Sequence, residues 1–110
     1  MTVFIEIASL LIDIEAELRR LNQWDAEPPS AHALASTEPF CVDTLTFVQW
    51  LQFVFIPRMH ALARLEQLPP GRCEIEPLVE ECFRNSRLDI AALQRLIRQL
   101  DQLINDGLQA

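Results

Sequence analysis

The chain has 110 residues, half of them apolar, and a formal net charge of −7. This length and composition fit one compact domain and argue against disorder, and two glycines with no tyrosine argue against an all-β fold. All nine basic residues are arginine. Because an acidic surface repels phosphates and anionic headgroups, direct nucleic-acid binding and membrane binding are not expected.

The cysteine and histidine content does not predict a metal site or a cofactor. Cys41, Cys73 and Cys82 form no Cys-x-x-Cys pair, and the only histidines are His32 and His60. The three thiols are therefore expected to be small buried hydrophobes in a reducing compartment. No stretch has the length of a membrane span and no basic region precedes the first apolar residues, so a cytoplasmic protein is expected.

An amphipathic pattern predicts the first helix from Thr2 to about Asn22. Its apolar residues recur at spacings of three and four: Val3, Ile7, Leu10, Leu11, Ile14, Leu18 and Leu21. Glu6, Asp13 and Glu17 share one flank, which we interpret as a solvated helix face. A carboxylate stripe for a metal or a basic partner is the alternative, but neither histidine has the Glu-x-x-His spacing of a di-iron bundle.

Residues 23–45 form a long connection. Because structureless loops of this length are uncommon inside compact domains, it is predicted to pack against the core and to contain a short helical turn capped by Ser30. Its expected apolar anchors are Trp24, Phe40, Val42 and Leu45.

A capping box of Thr46 and Gln49 predicts the start of the second long helix, and Pro57 is predicted to bend it. This helix is apolar on more than one side, which is typical of a central helix or of one that offers a face to a partner. One stripe contains Phe47, Leu51, Val54, Phe55, Leu62 and Leu65. The second stripe contains Trp50, Phe53, Pro57, His60 and Arg64. This stripe either meets a partner or is covered by the 23–45 connection.

Arg58 falls within the first stripe, between Phe55 and Leu62. Because a buried guanidinium keeps its charge, it needs a carboxylate or several carbonyl partners. We interpret Arg58 as a clamp that binds Asp43 or Glu38 in the preceding loop. The alternative is that it faces a cavity and binds an anionic group.

The remaining chain predicts two further helices. The segment 68–71 (Leu-Pro-Pro-Gly) ends the second helix, a third follows at about Ile75–Arg84, and the last runs from an Asp89 cap to about Asp106. The polar half of the last helix contains Gln94, Arg95, Arg98, Gln99, Asp101, Gln102 and Asn105. The predicted fold is an all-α four-helix bundle in a single domain, residues 1–110. It has a long structured loop between helices 1 and 2 and a proline-bent central helix.

Several pieces of the chain resemble the YqcC-like family of small bacterial proteins: residues 36–40 (Ser-Thr-Glu-Pro-Phe), 43–44 (Asp-Thr), 49–52 (Gln-Trp-Leu-Gln) and 56–60 (Ile-Pro-Arg-Met-His). The resemblance extends over nearly the whole chain. It implies a four-helix bundle of unknown biochemical role, linked by name and gene neighbourhood to the pseudouridine synthase that modifies tRNA. The signature that it implies here is Phe40, Asp43, Thr44, Trp50, Gln52, Pro57, Arg58, Met59 and His60.

Two functional hypotheses follow. The first is a non-enzymatic interaction or accessory module, associated with tRNA pseudouridylation, that binds another protein or a second copy of itself. The second is a bundle that binds a small anion through Arg58 and His60, between the 36–45 loop and helix 2. An enzyme is not expected, because no activated nucleophile or metal accompanies an Asp43–His60 pair. The candidate binding residues are Phe40, Asp43, Trp50, Phe53, Arg58, His60 and Arg64; no catalytic residue, metal ligand or cofactor is predicted.

Overall fold

The computed structural model describes residues 2–109 and is all-helical over that range, which confirms the predicted fold class. The α-helices are α1 (Thr2–Arg20), α2 (Ala31–Leu34), α3 (Phe47–Trp50), α4 (Ile56–Arg64), α5 (Glu76–Cys82) and α6 (Ala91–Gln109). A 3₁₀ turn, Pro39–Cys41, precedes α3, and a π-helical segment, Leu51–Phe55, joins α3 to α4. The grouping of the long helices into a four-helix bundle stays a prediction.

Helix α1 packs against both α4 and α6, and α5 packs against α6 and α3. The centre of the core consists of side chains from α1 and α6 at the spacings of three and four that the sequence indicated. These side chains are Ile7, Leu11, Ile14, Leu18, Leu93, Ile97, Leu100 and Ile104. The helix from α3 to α4 is less enclosed than expected, because Pro57, Arg58 and Arg64 are exposed.

The start of α3 has the predicted capping box. The Thr46 hydroxyl accepts a hydrogen bond from the Gln49 N–H at 3.1 Å, and the Gln49 side-chain oxygen accepts one from the Thr46 N–H at 2.9 Å. The α-helical pattern of α3 ends at Trp50, and the π-helical segment begins at Leu51. The proline ring of Pro57 crowds the carbonyl of Phe53 and offers it no N–H, and the preceding turn is widened so that the Ile56 N–H bonds to the Leu51 carbonyl.

The side chain of Gln52, in the widened turn, is buried and holds the connection after α1. Its Nε2 donates to the Asp25 carbonyl at 2.9 Å, and its Oε1 accepts from the Asp25 N–H at 2.8 Å. One amide side chain thus satisfies both backbone groups of a residue 27 positions away. This pair fastens the chain between α1 and α2 to the π-helical segment.

The rest of the connection is held by short polar contacts within itself. Ser30 caps α2 by accepting from the Ala33 N–H at 3.1 Å, as predicted. The Thr44 hydroxyl donates to the Ala33 carbonyl at 2.6 Å, and the Ser36 hydroxyl donates to Asp43 at 2.5 Å. These bonds bring the residues after α2 back beside it and so place the 3₁₀ turn.

Two residues of α6 depart from the predicted polar face. Asp101 and Asn105 are each only 8% exposed. Asp101 accepts from the N–H groups of Ile75 and Glu76, at 2.9 and 2.8 Å, and so caps the beginning of α5 from another helix. Asn105 accepts from the Cys73 N–H at 2.7 Å and donates to the Cys73 carbonyl at 2.8 Å.

Cys73 is enclosed by the same contacts. Its thiol donates to Asp101 Oδ1 at 3.1 Å. Burial raises the pKa of the Cys73 thiol well above its usual range, and the bond to Asp101 raises it further. The thiol therefore stays protonated and acts as a buried donor.

Substitution Asp101→Ala is expected to destabilise the protein by roughly 2–4 kcal/mol, because it leaves the buried N–H groups at the start of α5 without an acceptor. Asp101→Asn keeps one acceptor oxygen and is expected to cost less. Urea unfolding followed by circular dichroism measures both. Asp106→Ala, on an exposed position of the same helix, is the control and should change stability by less than about 0.5 kcal/mol. Equal effects at positions 101 and 106 would contradict the assigned cap.

Candidate functional site

Two grooves lie on the surface around the 3₁₀ turn. A groove of about 550 Å³ is enclosed by this turn, the α3–α4 helix and the segment 69–78. Its apolar wall is formed by Phe40, Trp50, Phe55, Met59, Pro77 and Leu78, and its charged residues are Arg58, Arg72 and Glu74.

A second depression of about 260 Å³ adjoins this groove. Both are lined by Phe40 and Leu78, which therefore lie between them. The walls of the smaller groove are almost wholly apolar and come from Val42, Leu45 and Phe47, with Cys82 and Glu81 at the α5 side. We call Phe40, Val42 and the two grooves the Phe40 surface.

Phe40 is held in place by an unusual backbone. Phe40 and Cys41 have φ angles of +58° and +50°, in the left-handed region that residues other than glycine rarely adopt. Each such residue costs about 1–2 kcal/mol, so the surrounding contacts must fix this conformation. The Phe40 ring meets Trp50 edge-on, with ring centroids 4.8 Å apart, yet remains 42% exposed. The strained turn therefore leaves part of a large aromatic ring in solvent.

At Trp50 the second stripe follows the alternative in which the 23–45 connection covers it. It is 9% exposed and lies between Phe40, Phe47 and Phe55, with centroid distances of 4.8, 5.9 and 5.3 Å. The loop before α3 covers it through Phe40. The prediction that Val42 anchors the connection in the core is wrong, because Val42 is 72% exposed and lines the smaller groove.

The predicted clamp by Arg58 is wrong. In the described residues Arg58 makes no ion pair with Asp43 or Glu38, and Asp43 instead accepts from Ser36. The reason is the widened turn. One extra residue in a turn rotates the helix that follows by about 100°. The inward position that Arg58 would have occupied is therefore occupied by Met59.

The burial pattern shows this shift directly. Trp50 and Leu51 are buried at the start of the widened turn, and in an unbroken α-helix their face would continue through Arg58 and Leu62. The buried residues are instead Met59 and Ala63, each one position later. The shift turns Arg58 out of the core and into the larger groove.

The other members of the second stripe are separated from the Phe40 surface. His60 and Arg64 line a groove of about 670 Å³ between α4 and α1, together with Phe4, Ile5, Ala8, Ala63 and Glu66. Phe53 is half-buried and lines neither groove. The structure therefore does not bring Arg58 and His60 into one groove.

The remaining chemically interesting side chains are dispersed. Among residues 2–109, no group of three His, Cys, Asp or Glu residues is arranged to hold a metal ion. Glu17 pairs with Arg20 at 2.6 Å, and the hydrogen bond from Arg20 holds the pKa of Glu17 below its usual range. Cys41 and Cys73 are buried as expected, whereas Cys82 is exposed, which corrects the expectation of three buried thiols.

Within the described part of the chain, no helix combines the length and the apolar character that crossing a membrane requires.

Sequence reasoning missed the residues that form the far side of the larger groove. Pro77 and Leu78 lie in the first turn of α5, far from Phe40 in the sequence, so no local pattern indicated that they share a groove with it. Asp101 and Asn105 hold this segment, but their positions in α6 look solvated because only local spacing is visible in a sequence. Two polar residues four apart, at the edge of an apolar helical face, were the available hint.

The chain is similar to known proteins over almost its entire length. The family DUF446, whose model is described as tRNA pseudouridine synthase C, matches residues 6–103. An uncharacterized protein of Haemophilus influenzae is 38% identical over 100 residues, which are 88% of this chain and 91% of that protein. The solution structure of protein YqcC from Escherichia coli has a TM-score of 0.84 and 34% identity, and covers 96% of this chain and 91% of that chain.

A third relative is of a different kind. A segment of 65 residues, 59% of this chain, is 46% identical to part of a protein named tRNA pseudouridine synthase C from Pectobacterium carotovorum. That segment makes up only 17% of the named protein, which is therefore more than three times as long as this chain.

Alkylation of the folded protein with iodoacetamide is expected to modify Cys82 alone. Burial raises the pKa of the Cys82 thiol, so its labelling should rise over a higher pH range than that of a free thiol. Cys41 and Cys73 should react only in denaturant. Peptide mass spectrometry measures all three sites, and Cys82→Ser provides the unlabelled control. Early labelling of Cys73 would contradict its enclosure by Asp101.

Proposed function

This chain belongs to the YqcC-like family DUF446, and on that premise we propose that it is a non-enzymatic module that docks onto another protein through the Phe40 surface. The observation that carries the proposal is the half-exposed aromatic ring between two grooves. Aromatic side chains at apolar depressions are the groups that dominate binding energy in protein interfaces. In this proposal the four long helical segments form a bundle that supports the surface.

The strained backbone supports a docking role. Residues in rarely occupied backbone conformations are concentrated at functional sites. Here two consecutive left-handed residues hold Phe40 against Trp50 without enclosing it. Packing alone would be served as well by a ring that is fully buried.

The chemistry of the surface favours binding over catalysis. Its charged groups are Arg58, the Arg72–Glu74 pair at 3.1 Å, and Glu81, which pairs with Arg84 at 2.5 Å. Its two thiols, Cys73 and Cys82, both have a raised pKa and are weak nucleophiles at neutral pH. These groups suit the rim of an interface, so we propose that the chain is not an enzyme.

We further propose that the partner works in tRNA pseudouridylation. A relative of this domain occurs inside a longer chain that carries the name of a tRNA pseudouridine synthase. Domains that are joined in one protein and separate in another commonly act together. Because the chain has a net charge of −7, contact with the tRNA is left to the enzyme and this module serves as its accessory.

A second candidate function is binding of a small anion in the larger groove. Arg58 favours it, because this exposed residue lines the groove and has no ion pair among the described residues. Arg72 could assist, although it already pairs with Glu74. His60 would not take part from its place in the other groove.

Substitution Val42→Ser is expected to weaken the complex with tRNA pseudouridine synthase C from the same organism. Val42 is exposed, so the change should alter stability by less than about 0.5 kcal/mol, while loss of an apolar contact should raise Kd by about tenfold. Phe40→Ala should have a larger effect. Isothermal titration calorimetry measures Kd, and protection of Cys82 from alkylation reports on contact at the surface.

Ile12→Ser is the matched control, since Ile12 is 61% exposed on α1 and lines neither groove of the Phe40 surface. It should bind as the unsubstituted protein does. Absence of a complex, or equal weakening by Ile12→Ser and Val42→Ser, would contradict the proposed function.

A further inference from the structure

We infer that the Phe40 surface receives an extended acidic segment of its partner, with an apolar side chain in the smaller groove and a carboxylate on Arg58. This inference rests on the proposed function and adds the chemistry of the partner. It concerns a single trough, formed by two depressions that share Phe40 and Leu78.

The presence of two neighbouring depressions is the reason for choosing an extended chain. Side chains on one face of an extended segment repeat every two residues, about 7 Å apart, and can enter neighbouring depressions in turn. Phe40 and Leu78 separate the two depressions as a ridge across which such a segment would lie. The smaller groove, lined by Val42, Leu45 and Phe47, accepts an aliphatic or aromatic side chain.

The charge of the trough indicates the second feature of the segment. In the larger groove the guanidinium of Arg72 already pairs with Glu74 at 3.1 Å. Arg58 is the groove arginine that is left without an ion pair among the described residues, although the chain as a whole is strongly acidic. A guanidinium binds a carboxylate through two parallel hydrogen bonds, which makes an aspartate or glutamate of the partner its complement.

The position of Arg58 beside apolar walls strengthens this pairing. Arg58 lines the same groove as Trp50 and Phe55, and bound peptide would exclude water from it. Ion pairs gain in strength when they leave water and keep their hydrogen bonds. An uncharged segment would instead cover Arg58 and leave it without a partner, at a cost in affinity.

The test measures binding of tRNA pseudouridine synthase C to Arg58→Gln and Arg58→Glu at low and high salt. Arg58→Gln is expected to weaken binding by about tenfold at low salt and to reduce the salt dependence. Arg58→Glu should weaken it further by repelling the carboxylate. Arg87→Gln removes the same charge from an exposed residue outside both grooves and should have no effect.

The outcomes separate this inference from the proposed function. If Arg58→Glu binds as tightly as the unsubstituted protein while Val42→Ser is weakened, docking stands and the acidic segment is wrong. If neither substitution matters, both proposals are wrong.

A second measurement uses two capped peptides, acetyl-Leu-Ser-Asp-amide, which places Leu and Asp on one face of an extended chain, and its counterpart with Asn in place of Asp. In the Trp24→Phe variant, Trp50 is the remaining tryptophan and reports on the groove by its fluorescence. The acidic peptide should change the Trp50 emission and the neutral one should bind several-fold more weakly. Equal response to both peptides, or displacement of the acidic peptide by inorganic phosphate alone, would overturn the inference, the latter in favour of a small-anion site.

Discussion

The structure depends on one constraint in its middle helix. Pro57 cannot donate to the carbonyl of Phe53, and its ring crowds that turn, so a π-helical turn takes the place of an α-helical one. The extra residue rotates the following helix and places Met59 and Ala63 in the core. It also releases Arg58 to the surface. A proline that would ordinarily be read as a source of bending thus sets which side chains face inward over the next two turns.

Two buried amide side chains, one of them in this π-helical turn, hold irregular segments of the chain in place. Gln52 pairs with both backbone groups of Asp25, and Asn105 pairs with both backbone groups of Cys73. In each case a buried carboxamide satisfies the donor and the acceptor of an irregular segment that has no partner in a helix or sheet. Together with Asp101 at the start of α5, these contacts hold connections whose backbone groups have no partners in regular secondary structure.

The π-helical turn and the buried polar contacts together shape the Phe40 surface. The release of Arg58 supplies its charge, the Asp101 and Asn105 contacts position its far wall, and the left-handed turn presents Phe40 between its two grooves. We propose a protein partner because the surface joins one arginine without an ion pair among the described residues to an exposed aromatic ring, in a molecule whose net charge is −7. The family relationship and the relative within a synthase chain indicate where such a partner is to be sought.

Local patterns in the sequence determined the all-α class, the apolar faces of α1 and α6, the Ser30 cap and the capping box at Thr46, because each depends on residues within a few positions. The family could also be identified from residues 36–60. Tertiary structure decided the rest. The inward phase after Pro57, the burial of Asp101 and Asn105, and the cover of Phe40 over Trp50 involve partners that are distant in the chain or a change of helical period. A rule based on spacing assumes an unbroken helical period, so it placed Arg58 in the core, whereas the π-helical turn leaves Arg58 exposed. It also takes no account of donors that are distant in the sequence, so it placed Asp101 in solvent, whereas Asp101 is buried against the start of α5.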